Sequence, residues 1–209
     1  MTLKAWLEKS PLIAILRGVR PTEAESICAA LEEVGISIVE VPLNSPEPLK
    51  SIEVLSRRFG DRMLIGAGTL TRVSEVAEVA AVGGKLIVTP HADVAIVRAA
   101  KAAGLIAVPG FFNPTEAFAL LHAGADGIKL FPADVLGPAM LKAMRAVLPK
   151  DTIVIPVGGV GVAQIPGWLQ VGAQGFGLGS SLYKPSDTPE SVRAKAMALV
   201  AAVSRTPPD

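Results

Sequence analysis

The chain has 209 residues, half of them hydrophobic, with 20 Lys and Arg against 19 Asp and Glu and a net charge of +1. That length and apolar content suffice for one sizeable core, so a single domain over residues 1–209 is expected. The even charge balance, with no long basic block, argues against nucleic acid as the main partner and against a polybasic membrane-binding surface. Cys28 is the only cysteine, so no intrachain disulfide can form. It has helical spacing within Glu25–Leu31 and reads as a small core residue, compatible with a reducing compartment. The apolar run Pro11–Leu16 is too short to span a bilayer and lacks the layout of a signal peptide. A cytoplasmic protein without membrane contact is therefore expected.

Leu3, Trp6 and Leu7 fall at helical spacing and predict a short leading helix that covers one end of the fold or packs on its side. Short β-rich runs then begin near Leu12, Ile36, Leu64, Leu86, Ile106, Gly127, Ile153 and Gly175, separated by helical segments. Pro21 and Thr22 open the first of these helices and Gly35 stops it. Pro114 and Thr115 open the fifth, with Gly124 behind it, and Gly104 and Gly172 end two others. Eight strand–helix units of near-continuous apolar strands predict an α/β fold of the (β/α)8 TIM-barrel type, with parallel strands buried on both faces. A doubly wound sheet is the alternative, but Arg17-Gly18-Val19-Arg20-Pro21 supplies no Gly-rich fingerprint after the first strand. Thr206-Pro207-Pro208-Asp209 reads as a frayed tail.

Two of the apolar runs carry a charge. Lys129 sits inside Gly127-Ile128-Lys129-Leu130-Phe131-Pro132, and Glu40 inside Ile36-Ser37-Ile38-Val39-Glu40-Val41-Pro42-Leu43. A lysine in such a run either snorkels to water or is kept there for chemistry. The matching glutamate favours chemistry, with Lys129 as an amine nucleophile and Glu40 as its proton-transfer partner. In a barrel the carboxyl ends of the strands converge on one mouth. Arg17 there can hold a carboxylate in a two-pronged contact, and Thr69 can add a hydroxyl donor. Two glycine-rich ends follow on late strands, Pro156-Val157-Gly158-Gly159-Val160 and Gly177-Leu178-Gly179-Ser180-Ser181. Their backbone N–H groups can grip a phosphate, or the glycines simply make tight turns. His91 and His122 are far apart with no spaced carboxylate cluster, so no metal site and no cofactor are expected.

The order Val39-Glu40-Val41-Pro42-Leu43-Asn44-Ser45-Pro46, Gly66-Ala67-Gly68-Thr69, Pro109-Gly110, Lys129-Leu130-Phe131-Pro132, Gly158-Gly159-Val160 and Gly179-Ser180 resembles the KDPG/KHG aldolase family, over about Pro11 to Tyr183. Asn44 stands four residues after Glu40, where the gluconate-type members usually carry a carboxylate-binding arginine. With the Ile15-Leu16-Arg17-Gly18 stretch, this looks most like the branch acting on 2-dehydro-3-deoxy-6-phosphogalactonate. Phe111-Phe112-Asn113 departs from the small residues and threonine common in the family, and bears on substrate selectivity.

The resemblance implies a metal-independent, class I lyase that yields pyruvate and D-glyceraldehyde 3-phosphate. It implies Lys129 as the Schiff-base lysine, Glu40 as the proton shuttle, and Arg17 and Thr69 at the substrate carboxylate. Gly158, Gly159, Gly179 and Ser180 would lie at its phosphate, and the assembly would be a homotrimer. The rival readings are a KDPG or 4-hydroxy-2-oxoglutarate aldolase of the same family, a phosphoribosyl-type isomerase with a similar phosphate grip, and a non-catalytic sugar-phosphate-binding barrel.

Overall fold

The computed structural model describes residues 1–204; the tail Thr206–Asp209, read above as frayed, lies outside the described residues. The strands are β1 (Leu12–Ile15), β2 (Ile38–Pro42), β3 (Leu64–Gly68), β4 (Leu86–Val88), β5 (Ile106–Val108), β6 (Gly110–Phe111), β7 (Ile128–Leu130), β8 (Val154–Pro156) and β9 (Phe176–Leu178). The helices are α1 (Leu3–Lys9), α2 (Pro21–Glu33), α3 (Pro48–Phe59), α4 (Ser74–Ala81), α5 (Val94–Ala102), α6 (Pro114–His122), α7 (Ala133–Arg145), α8 (Ile165–Leu169) and α9 (Pro189–Ser204). The helix punctuation follows the sequence. Pro21 and Pro114 start α2 and α6, and Gly35 and Gly124 follow them at φ 84° and 95°. That left-handed conformation suits a residue without a Cβ.

The eight-stranded TIM barrel expected from the sequence is not what forms. The described residues make a curled six-stranded parallel sheet, in the order β5-β4-β3-β2-β1-β9, and a separate three-stranded parallel sheet, β6-β7-β8. Two seams explain the difference. At the first, Pro109 has no N–H to give to a ladder, so the fifth run splits into β5 and β6. There the Thr89 hydroxyl, 1% exposed, accepts from the Gly110 N–H at 3.1 Å and donates to the carbonyl of His91. At the second seam, β8 and β9 are joined through the single bridge Val157–Gly177. Eight runs read from apolar content thus become nine short strands in two sheets.

Side-chain alternation sorts the strands into two cores. Leu12, Ala14 and Leu16 face the helices in the large outer core. Ile13 and Ile15 join an inner cluster with Ile38, Leu64, Leu86, Val88, Val108, Ile155 and Val157. α1 closes the amino-terminal end of this interior, placing Leu3, Trp6 and Leu7 in the inner cluster. Its seat is formed by glycines: a Cβ at Gly127 would stand 2.7 Å from Leu3 Cδ2, and one at Gly175 would stand 2.8 Å from Leu7 Cδ2. The leading helix therefore acts as an end plug rather than a side decoration. Among the described residues no helix is long and apolar enough to cross a membrane.

Candidate active site

The same alternation carries the two charged strand residues into the interior. On β2, Ile38 belongs to the inner cluster and Val39 and Val41 to the outer core, so Glu40 shares the inward face of Ile38. On β7, Ile128 and Leu130 face the outer core, which leaves Lys129 inward. Register holds both in place. Glu40 pairs with Ile15 on one side and Gly66 on the other. Lys129 pairs with Gly110 and Ile155, and its N–H donates to the Pro109 carbonyl at 2.8 Å.

Space for the Glu40 carboxylate comes from glycine. β3 puts Leu64 in the inner cluster but only Gly66 and Gly68 at the next inward positions. A methyl group at Gly68 would overlap the Glu40 carboxylate. Sequence reading missed this role of Gly68, and that Gly66 lets β3 lie close against Leu86 of β4. The signal was their period of two from Leu64.

Both groups are nearly sealed, Glu40 at 2% exposure and Lys129 at 6%. Burial disfavours either charged form. It pushes the Glu40 carboxyl up to about 7, against the opposing pull of Lys129 and Arg17. Burial also holds the Lys129 amine below the usual lysine range; Arg17 adds to that fall and Glu40 opposes it. Glu40 Oε2 is buried without a hydrogen-bond partner, and Lys129 Nζ lies 4.7 Å from the centroid of the Phe131 ring. A desolvated amine is a competent nucleophile, and a carboxyl that titrates near neutrality can both give and take a proton.

Arg17 leaves β1 at the same mouth. Its Nη1 donates to Asn44 Oδ1 at 2.6 Å and its Nη2 to Thr69 Oγ1 at 3.3 Å. Thr69 accepts there, so its own proton is free for another acceptor. Asn44 as a partner of Arg17 was not foreseen, because spacing along the chain says nothing of a contact between neighbouring strand ends.

A cavity of about 380 Å³ opens beside these residues. Its lining includes Arg17, Phe131, Gly158, Gly159, Gly179 and Ser180. Lys129 and Glu40 are not in that lining, but their neighbours are: Phe131, whose ring faces Lys129 Nζ, and Ile15, which pairs with Glu40. Gly158 and Gly159 have φ of 107° and 64°, a backbone that glycine adopts without strain. Ser181, next to the expected Ser180, is engaged through its hydroxyl with the Val160 carbonyl at 2.7 Å, tying the two glycine-rich ends together.

The other sequence candidates separate clearly. His91 is exposed, 3.9 Å from Asp93, and His122 ends α6 against Phe118. Among the described residues no group of three His, Cys, Asp or Glu is placed to hold a metal ion. Phe111 packs into the outer core while Phe112 is 49% exposed, and neither lines the cavity beside Arg17. Cys28 is buried against Met63, and burial pushes its thiol far up, as a core residue's should be.

A model of the family described as "Aldolase: KDPG and KHG aldolase" matches residues 3–197. The chain belongs to the KDPG and KHG aldolase family. It is 48% identical over 192 residues to a probable 2-dehydro-3-deoxy-6-phosphogalactonate aldolase of Rhizobium meliloti, covering 92% of this chain and 91% of that one. It is 43% identical over 197 residues to the 2-dehydro-3-deoxy-6-phosphogalactonate aldolase of Escherichia coli, covering 94% and 96%. A solved structure described as native KDPGal superposes with a TM-score of 0.93 at 42% identity, covering 94% of this chain and 95% of that one. A KDPG aldolase from Legionella pneumophila, with pyruvate captured as a covalent carbinolamine intermediate, superposes at 0.86 with 26% identity, covering 96% and 98%. A lyase of the aldolase type is thus the activity of this family member.

Proposed function

We propose that the chain cleaves 2-dehydro-3-deoxy-6-phosphogalactonate to pyruvate and D-glyceraldehyde 3-phosphate through a Schiff base on Lys129, without a metal ion. The substrate assignment is supported by relatives of that specificity at 43% and 48% identity over most of the chain. The observation that carries the mechanism is the buried Lys129 amine, held below its usual range, on the same inward face as the buried Glu40 carboxyl. An unperturbed lysine, with a pKa of ~10.4, is almost wholly protonated at neutral pH; desolvation frees its lone pair.

In this scheme the lone pair of Lys129 attacks the 2-keto carbon, and the carbinolamine loses water to a protonated imine. Glu40 takes the proton of the C4 hydroxyl as the C3–C4 bond breaks, and the bonding pair passes into the imine as an enamine. The aldehyde leaves. Glu40 returns a proton to C3, and water releases pyruvate and the free amine. Arg17 and Thr69 hold the carboxylate, while Gly158, Gly159, Gly179 and Ser180 hold the phosphate at the cavity. Fixing both ends aligns the breaking bond with the imine π system. The family resemblance further suggests a homotrimer, to be checked by light scattering.

Intact-mass analysis after pyruvate and borohydride is the direct test. One reduced adduct is expected, mapping to the Lys129 peptide and abolished in Lys129→Ala. An adduct persisting on another lysine would remove Lys129 from the role. Parallel assays with the two C4 epimers and the unphosphorylated acid decide the substrate, with the galactonate epimer expected to have the highest kcat/KM.

A further inference from the structure

Arg17 is exposed at the end of β1, where a long side chain ordinarily samples many rotamers. Here its guanidinium is caught twice, by Asn44 at 2.6 Å and by Thr69 at 3.3 Å. One residue on, the Gly18 N–H donates to the hydroxyl of buried Ser45 at 2.9 Å. Two consecutive residues after β1 are thus tied to two consecutive residues after β2. The anchors are themselves fixed, since β2 and β3 pair over their whole length from Ile38–Leu64 to Pro42–Gly68, and the Leu43 N–H continues onto the Gly68 carbonyl. Thr69 lies at φ 61°, a left-handed conformation unusual for a β-branched residue and retained only where the surroundings enforce it. A guanidinium carries donors only, so the Asn44 atom facing it is the amide oxygen.

We propose that Asn44 is a positioning residue for Arg17: its amide oxygen sets where the guanidinium stands above the Lys129–Glu40 pair, and thereby where the substrate carboxylate is held. This rests on the assignment of Arg17 to the carboxylate. The neutrality of Asn44 is part of its fitness. A carboxylate at that position would hold Arg17 at least as firmly but would compete with the substrate for it, whereas alanine would leave the charge and release the side chain.

The test is steady-state condensation of pyruvate with D-glyceraldehyde 3-phosphate by wild type, Asn44→Ala, Asn44→Asp, Arg17→Ala and the Asn44→Ala/Arg17→Ala double variant, with thermal melts of each. Asn44→Ala is expected to raise the KM for pyruvate roughly ten- to hundredfold, the scale of one hydrogen bond to a charged group. The KM for the aldehyde and the melting temperature should not move. Asn44→Asp should raise the pyruvate KM further. The double variant should match Arg17→Ala, because nothing remains to be positioned. If Asn44→Ala leaves the pyruvate KM unchanged, or if the two single effects multiply in the double variant, the inference is overturned while Arg17 keeps its role. An unchanged KM in Arg17→Ala instead overturns the carboxylate assignment, and the inference with it.

Discussion

Glu40 is held at odds with its charged form. Its Oε2 has no partner, and burial lifts the carboxyl to about 7, so near neutrality it exists in both protonation states. Because the folded pKa lies above the unfolded one, the fold is favoured at low pH and loses that advantage as pH rises from about 4.5 to about 7. Glu40→Gln cannot ionise. The variant is expected to gain on the order of 3 kcal/mol over wild type above pH 7, with the gap closing below pH 4.5, as read by denaturant melts across pH. It should still form some imine yet lose about a hundredfold or more in kcat, the usual contribution of a general acid–base. Wild-type turnover in Glu40→Gln would move the proton shuttle elsewhere. At this scale the sequence was legible: a lysine and a glutamate inside Ile/Val/Leu runs announce themselves by what surrounds them. Asn44 and Gly68 did not, since their meaning lies in a partner on another strand.

Among the elements, β7 carries the amine but rests on its neighbour β6, whose first residue needs a partner that the backbone of β4 does not provide. Thr89 supplies it. Thr89→Val keeps the shape and leaves the buried Gly110 N–H without an acceptor, at a cost of about 1–3 kcal/mol. A fall of several degrees in melting temperature is expected, recovered in large part by Thr89→Ser, which restores the oxygen. Equal melting of Thr89→Val and wild type would show that Gly110 finds another acceptor. Pro109 was plain in the sequence. Its effect on strand count was not, because apolar content marks where a chain is buried and not whether each amide has a hydrogen to offer. The helix boundaries were read more surely, since proline at a first turn and glycine beyond a last one act within the segment itself.

Across the whole molecule, the interior is graded from apolar to polar along its axis. Leu3, Trp6 and Leu7 fill one end, branched aliphatics the middle, and Lys129, Glu40 and then Arg17 the other. That gradient follows from short parallel strands that all start at the plugged end, and it was visible as strands whose polar residues came last. The split into two sheets was hidden because it depends on how strands far apart in the chain meet, at the Pro109 seam and at the Val157–Gly177 bridge.

The seam between β8 and β9 has a consequence of its own. Gly158 and Gly159 stand on one bank and Gly179 and Ser180 on the other, spanned by the backbone bridge Val157–Gly177 and by the Ser181 hydroxyl on the Val160 carbonyl. An anion seated at the proposed phosphate site would fasten one sheet to the other like a clasp. Protection from amide exchange should therefore spread outward along both β8 and β9 when a phosphorylated ligand is added, and melting temperature should climb with its concentration. Pyruvate alone, which lacks the anchoring group, should leave exchange at that border as it was.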